Sequence, residues 1–254
     1  MIDIHSHLIP AIDDGSQSLQ QSLAVLRAFA DAGVEGVVLT PHVTAAELAT
    51  DPDGAVHRRE AAYDPLRRIG LAAPKLYLGF EIMLDQPLSA VSIGDRRFSL
   101  AGSRYYLVEF SWSVVPDFAR NVLAEIARAG AVPVVAHPER YEGCSPETVR
   151  SWRAVGAKMQ LDSTSLTQAT GRGHRARQLL ANGLADLIAA DNHGNERILT
   201  RGVEYLESRV AGNSVDLLSS VNPRAIIDDE EMVPVPPMAL REGMLDWFRR
   251  FVTG

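Results

Sequence analysis

This 254-residue chain carries a single cysteine, Cys144. One thiol rules out an internal disulfide framework and suits a reducing compartment. No run of about 18 apolar residues occurs, so no segment reads as a membrane span. The first residues enter an extended pattern directly, without a charged and then apolar leader, and a soluble, cytoplasmic protein is expected. Positive charge is also short: 25 Lys and Arg against 32 Asp and Glu leave a net charge of −7. That balance argues against a general nucleic-acid surface and leaves room only for a local basic pocket. Neither a low-complexity block nor a repeat of about 20–50 residues appears. With 46% hydrophobic residues, the chain can bury a large core, and one (β/α) barrel of roughly 250 residues is a common outcome at this length.

What is present begins at once, in Met-Ile-Asp-Ile-His-Ser-His. If Ile2 to His7 is extended, alternation sends Asp3, His5 and His7 to one face and Ile2, Ile4 and Ser6 to the other. Two neutral imidazoles on one face make a metal clamp. Taken alone, the pair reads equally well as a partnered core pair or a surface accident.

Further ligand types stand at the ends of other apolar runs. Val34 to Thr40 leads to His42, Lys75 to Phe80 to Glu81, and Tyr105 to Val108 to Glu109. Val132 to Ala136 leads to His137, and Leu187 to Ala190 to Asp191 and His193. Five of the seven histidines fall at such ends, while His57 and His174 lie in helical or loop sequence. Parallel α/β barrels draw their catalytic groups from the carboxyl ends of several strands, and this distribution is that arrangement unrolled. Between the runs, Ser18 to Gly33 has apolar residues at 19, 23, 26, 29 and 30 followed by a C-cap glycine, which predicts a crossover helix. Similar patterns near 56–69, 117–129, 146–155, 173–182 and 196–211 give about seven βα units. The sixth strand, Lys158 to Ser163, brings Gln160 and Asp162 in place of an obvious ligand. Asp85 to Arg104 lacks helical period and is expected as an irregular insertion over the barrel mouth.

Laid out in order, MIDIHSHLIPAIDDGS, TPH at 40–42, Glu81, YYLVEFS, PVVAHPERY, AADNH and VNPRAI resemble the PHP (polymerase and histidinol phosphatase) superfamily. More closely, residues 1–228 resemble the bacterial protein-tyrosine phosphatases of capsule and exopolysaccharide gene clusters, the CpsB/YwqE type. The resemblance implies a distorted (β/α)7 TIM-like barrel, the PHP fold, over residues 1–233. It implies a site for three divalent metal ions held by His5, His7, Asp14, His42, Glu81, Glu109, His137, Asp191 and His193. Three such ions bring +6 against −4 from the carboxylates, leaving a net positive site suited to a phosphate dianion. Mixed imidazole and carboxylate ligation fits manganese first, with iron or zinc as alternatives. Paired ions can lower the pKa of a shared water and hold the attacking and leaving oxygens of an in-line displacement.

By the same resemblance, Arg140 and Arg197 are expected to hold the phosphoryl oxygens, since a guanidinium fork matches phosphate geometry. The plainer alternative pairs each with a nearby carboxylate such as Glu139, Glu142 or Glu196. Val43 and Thr44 follow His42 where some relatives carry basic residues, and Asp162 stands where Asn is frequent. The implied activity is hydrolysis of a phosphotyrosine protein, a bacterial tyrosine kinase tail that regulates polysaccharide export. A small-molecule phosphatase of the histidinol phosphate type and a non-catalytic metal-bound regulator of the kinase are the alternatives.

Two motifs lie apart from this site. Cys144-Ser-Pro-Glu-Thr-Val-Arg150-Ser151 matches the spacing of cysteine-dependent phosphatases, but Pro146 removes an N–H, Glu147 repels phosphate and no glycine relaxes the turn. Ser145 as N-cap with Pro146 at N1 predicts a plain helix start. Gly171 to Arg177 reads as a solvated helix start or as part of the substrate mouth. After residue 233, Pro234-Val-Pro-Pro237 predicts a stiff spacer, and Leu240, Met244, Trp247, Phe248 and Phe251 recur with helical period beside Arg241, Arg249 and Arg250. This amphipathic tail over 234–254 is expected to pack on its own barrel or a sister subunit, or to dock on a kinase or membrane surface.

Overall fold

The computed structural model describes residues 1–210 and 214–240. Nine parallel strand segments build the frame: β1 (Ile2–Ser6), β2 (Gly36–Leu39), β3 (His42–Thr44), β4 (Lys75–Leu78), β5 (Glu81–Met83), β6 (Tyr105–Glu109), β7 (Val132–Ala136), β8 (Lys158–Asp162) and β9 (Leu187–Ala189). They pair in the orders β1-β2-β4 and β3-β5-β6-β7-β8-β9. β2 and β3 are one strand interrupted at Thr40-Pro41, and β4 and β5 are one strand interrupted at Gly79-Phe80. Proline lacks the N–H that a ladder needs, which accounts for the first break. Counted through these breaks, seven staves result. The last returns to the first where Ser6 bridges Asn192 and the His7 amide donates to the Asn192 carbonyl at 2.8 Å. The architecture is a distorted (β/α)7 barrel.

Helices at Leu19–Asp31, Pro52–Ile69, Pro116–Arg128, Pro146–Arg153, Gly171–Ala181 and Leu199–Glu207 make the crossovers, close to the positions their periodicity predicts. Local chemistry sets several starts. Asp51 caps and Pro52 opens the second of these helices, and Gly70 ends it with a left-handed φ of 61°. Ser145 accepts from the Thr148 amide and Pro146 follows, so the Cys144 motif is a helix start.

Side chains alternate between two buried layers. Val37, Leu39, Val108, Val135, Leu161 and Ile188 pack with helix residues such as Phe29, Leu123 and Trp152. Ile2, Ile4, Val38, Leu107, Val134 and Leu187 fill the interior. β1 departs from the simple alternation expected of it, because its pairing with β2 shifts register between Asp3 and Ser6. This irregularity lets His5 turn toward the interior after Ile4 has already done so. Asp3 does not join the histidines. Its carboxylate is fully buried and accepts from the amides of His5 (3.1 Å) and Ala190 (3.1 and 3.3 Å), across the seam that closes the barrel.

The Asp85 to Arg104 segment does not cover the mouth. Asp85 stays near it, accepting from the Ala46 amide. The rest descends the flank: Tyr106 donates to the Ile93 carbonyl, and Leu100 packs with Ile2, Tyr105 and Ile226 at the amino ends of the strands. Ile93, Phe98 and Leu100 find buried apolar partners there that a polar mouth would not offer. Beyond the barrel, Val235 and Met238 are buried in the main core, and the Met238 amide donates to Leu180. The helix expected over the remainder of the tail falls outside the described residues. No helix among the described residues is long and apolar enough to cross a membrane.

Removing the Asp3 carboxylate strands two buried amides at the closing seam. Asp3→Ala is expected to lower the unfolding free energy by about 1–3 kcal/mol, read by chemical denaturation, and Asp3→Asn, which keeps an acceptor, by less.

Candidate metal centre

The strand ends deliver their polar residues to one place. Deepest are His5, His7, Glu81 and Asp191, whose side chains are at most 1% exposed. Glu81 Oε2 lies 3.0 Å from His5 Nε2, 3.1 Å from His7 Nε2 and 3.1 Å from His42 Nδ1. Asp191 Oδ1 lies 3.3 Å from His5 Nε2 and 3.5 Å from His7 Nε2. On one side His137 Nε2 stands 3.0 Å from Glu81 Oε1 and 3.3 Å from Glu109 Oε2. On the other, Asp14 Oδ1 lies 3.4 Å from His42 Nε2 and 3.5 Å from His193 Nε2. All nine residues singled out as ligands therefore meet. His57 and His174 sit exposed on helices away from them.

Hydrogen bonds behind the cluster decide which atoms face inward. Gln160 donates its amide to the Leu161 carbonyl, which turns Oε1 toward His5 Nδ1 at 2.9 Å. His5 Nδ1 must then carry the hydrogen, leaving Nε2 as a lone pair. Asp13 does the same for His7, accepting from Nδ1 at 2.8 Å, and it also accepts from the His42 amide that the Pro41 break releases from the ladder. His193 Nδ1 donates to the Asp191 carbonyl at 3.1 Å, so its Nε2 faces Asp14.

Lone pairs and carboxylate oxygens thus confront one another within about van der Waals distance, an arrangement that only a cation relieves. Glu81 Oε2 and Asp191 Oδ1 are buried with no directed hydrogen bond of their own. Three overlapping sets of donors meet within 4.8 Å: His7, Asp14, His42 and His193; His5, His7, Glu81 and Asp191; and His42, Glu81 and Glu109. These residues fit divalent metal ions of the type that accept nitrogen and oxygen ligands.

Protons respond to the same field. Burial alone would lower His7, but Asp13, Asp191 and Glu81 hold it well above the usual histidine range. For His137, burial and Arg140 pull down while Glu109 and Glu81 raise it to about 10. Glu81 is pushed up by burial, yet the imidazoles of His5, His137 and His7 hold it well below the carboxylate range. Protons and metal compete for these nitrogens, so metal binding releases protons.

Both arginines converge on Asp191, and neither pairs with Glu139, Glu142 or Glu196. Arg140 Nη2 binds Asp162 Oδ2 at 2.6 Å and also Asp191 Oδ2. Arg197 Nη1 lies 3.6 Å from Asp191 Oδ2. The outer rim is open: the Asp14 side chain is 72% exposed. Of the Gly171–Arg177 cluster, Arg175 donates to the Glu139 carbonyl and Arg177 to those of Leu166 and Gln168, tying the helix to the loops of the mouth. Cys144 is buried, and burial followed by the charge of Glu139 pushes its thiol up to about 12, the reverse of a reactive thiolate.

No local sequence signal marks Asp13, Gln160 or Tyr141 for the roles they take here. The resemblance singles out Asp14 of the Asp13-Asp14 dipeptide, and three-dimensional placement is what shows that its neighbour Asp13 orients an imidazole. Tyr141 fastens two strand ends, accepting from the Phe110 amide and donating to the Ala136 carbonyl beside His137. That anchoring supports His137, which holds a left-handed backbone with φ of 33°, as Asp191 does with φ of 48°. Asp13→Ala is expected to weaken metal affinity about 10- to 100-fold, measured by competition with a chromophoric chelator, because His7 loses the partner that sets its tautomer.

Comparison with known proteins agrees with the geometry. Residues 1–228 match the family model described as capsular polysaccharide synthesis, CpsB/CapC. The tyrosine-protein phosphatase YwqE of Bacillus subtilis is 26% identical over 256 residues, covering 98% of this chain and 100% of that protein. The tyrosine-protein phosphatase CpsB of Streptococcus pneumoniae is 26% identical over 244 residues, covering 91% and 99%. A solved structure of the YwqE and CpsB metal-dependent tyrosine phosphatases superposes with a TM-score of 0.77 at 24% identity, covering 95% of this chain and 100% of that one, and so shares its fold. With nearly nine-tenths of its length matched by one family model, the chain belongs to the CpsB/CapC family of capsular polysaccharide synthesis proteins.

Proposed function

We propose that this chain is a metal-dependent protein-tyrosine phosphatase that acts in the cytoplasm on the phosphorylated tail of a bacterial tyrosine kinase controlling polysaccharide export. The observation that carries the reading is the conjunction at Asp191. A carboxylate directed at the metal cluster is gripped by Arg140 and approached by Arg197, so phosphate-binding cations stand at the edge of a metal-directed centre. The names of the relatives, tyrosine-protein phosphatases in Bacillus and Streptococcus, support the same substrate class.

In this reading the three donor sets hold three divalent ions, manganese foremost with iron or zinc as alternatives. Bound there, the ions would supply an activated water and positive charge for the phosphoryl group. The chain's own residues do the rest. Asp13 and Gln160 fix the imidazole tautomers. Arg140 and Arg197 bind the non-bridging oxygens and stabilise the charge that grows on them. Tyrosine phenolate, with a parent pKa of about 10, leaves without a strong general acid, which an aliphatic alkoxide would need. The open rim admits a phosphotyrosine presented on an extended tail. The amphipathic residues 241–254 are proposed to pack on the barrel or a sister subunit, or to dock on the kinase or membrane surface. Because Val235 and Met238 pack into the core, a deletion after Leu240 is the one that separates this role from barrel stability.

Chelation, or His137→Ala, is expected to abolish hydrolysis of an aryl phosphate, whereas Cys144→Ser leaves it nearly unchanged. Arg140→Ala should lower kcat by about 10²-fold or more with metal content intact. Activity that survives metal stripping and disappears in Cys144→Ser would overturn the mechanism. Phosphotyrosine peptides should be hydrolysed much faster than phosphoserine peptides or histidinol phosphate. A kinetic preference for histidinol phosphate over every phosphotyrosine peptide would move the assignment to small-molecule chemistry.

A further inference from the structure

Next to the metal-directed cluster, between the residues following β8 and the loop following β9, lies a cavity of about 420 Å³. Thr164, Thr167, Gln168, Asn195, Arg197 and Arg201 line it, and Glu196 borders it. Arg197 belongs to both places, so the cavity opens directly beside the phosphoryl-binding edge of the centre.

Its hydrogen-bonding groups are sorted by what they have already spent. Gln168 Oε1 is approached by the Thr170 hydroxyl, and Asn195 Oδ1 accepts from the Arg197 amide at 3.0 Å. Each of these oxygens keeps a further lone pair, and the NH2 groups of both amides remain able to donate into the cavity. Thr164 donates its hydroxyl proton to Asp162 Oδ1 at 2.7 Å, and Thr167 donates to the Thr164 carbonyl at 2.9 Å. Among the described residues no carboxylate lies within ion-pair distance of Arg201. With their protons spent, the two threonine hydroxyls present acceptor oxygens to the cavity, beside the Glu196 carboxylate; against these stand the two amide NH2 groups, the Arg201 guanidinium and Arg197, which also lies 3.6 Å from Asp191. A pocket rich in donors, with a net positive charge, selects an anion.

We propose that this cavity is a substrate subsite for an anionic side chain carried next to the phosphotyrosine, with Arg201 as the residue that selects it. The proposal rests on the phosphatase reading and narrows its substrate to phosphotyrosine in an acidic stretch of chain. A carboxylate and a second phosphate share the required chemistry. Asp162 couples the two places physically: one oxygen receives the Thr164 hydroxyl of the subsite wall, and the other holds Arg140.

The test uses the full, metal-loaded chain and fluorescent peptides with a non-hydrolysable phosphonate analogue of phosphotyrosine. One glutamate is placed at each of three positions on either side, beside matched glutamine peptides and peptides with a second copy of the phosphonate analogue in place of a second phosphotyrosine. Binding is read by anisotropy, and turnover of p-nitrophenyl phosphate is measured in parallel. At one position or more, wild type should bind the acidic peptide about fivefold or more tightly than its glutamine match, the margin shrinking with added salt. Arg201→Gln should bring the ratio near unity and Arg201→Glu should invert it, with p-nitrophenyl phosphate turnover kept within about twofold of wild type. A gain from glutamate assigns a carboxylate to the subsite, and a gain only from the second phosphonate assigns a phosphate. Equal affinities at every position, or selectivity that persists in Arg201→Glu, would overturn the subsite while aryl phosphate turnover leaves the phosphatase reading standing. No turnover of p-nitrophenyl phosphate by the metal-loaded wild type would overturn both.

Discussion

The structure turns on one electrostatic constraint: carboxylate oxygens and imidazole lone pairs are forced together where water cannot separate them. Glu81 has an oxygen within 3.1 Å of nitrogens from three different histidines, and its side chain is 1% exposed. Such a cluster is tolerated only when cations fill it, because unpaired buried charge costs far more than a folded domain can spare. Protons partly answer that demand, with His7 and His137 held above the usual histidine range by the carboxylates beside them, and metal ions would answer it further. Tautomer-setting partners such as Asp13 and Gln160 follow from the same need, since a misdirected N–H would block a metal-facing lone pair.

The barrel is distorted in ways that serve this cluster. A regular parallel stave alternates inward and outward residues, and so would deliver one ligand per turn of the pleat. Here the register shift in β1 brings His5 inward directly after Ile4, and the Pro41 break frees the His42 amide for Asp13. Left-handed backbones at His137 and Asp191 turn these side chains back over the barrel end. Each of the two left-handed backbones costs about 1–3 kcal/mol locally. The surrounding core of fully buried aliphatic and aromatic residues, with Tyr141 bridging two strand ends, supports them.

Depth divides the centre into two zones with different work. Its floor is dry, with His5, His7, Glu81 and Asp191 sealed from solvent, so charge interactions there are strong. Its rim is wet, with Asp14 largely exposed and Arg197 partly so. Four of the metal-directed groups form the floor, Asp14, His42 and His193 stand toward the rim, and the two arginines lie at the boundary between them. Arg140 spans the two zones through Asp162 and Asp191, which also explains why this arginine is held in a fixed position instead of ranging over the surface.

Much of this was legible in the chain itself. Apolar runs ending in His, Glu or Asp, spaced by helical patterns with their caps, determine a parallel barrel and its residues of interest, because strand ends and helix starts depend on local chemistry. The placement of the Asp85 to Arg104 segment was not legible: lacking a period, it could be located only by the apolar partners it finds at the barrel's lower end. The same holds for the partners of Arg140, since nothing near it in sequence announces Asp162 and Asp191, 22 and 51 residues away. Sequence determined which residue types reach the mouth. The resemblance singled out Asp14, and only the tertiary structure decided that its neighbour Asp13 orients His7, because that role depends on a contact between loop and strand that leaves no local signal.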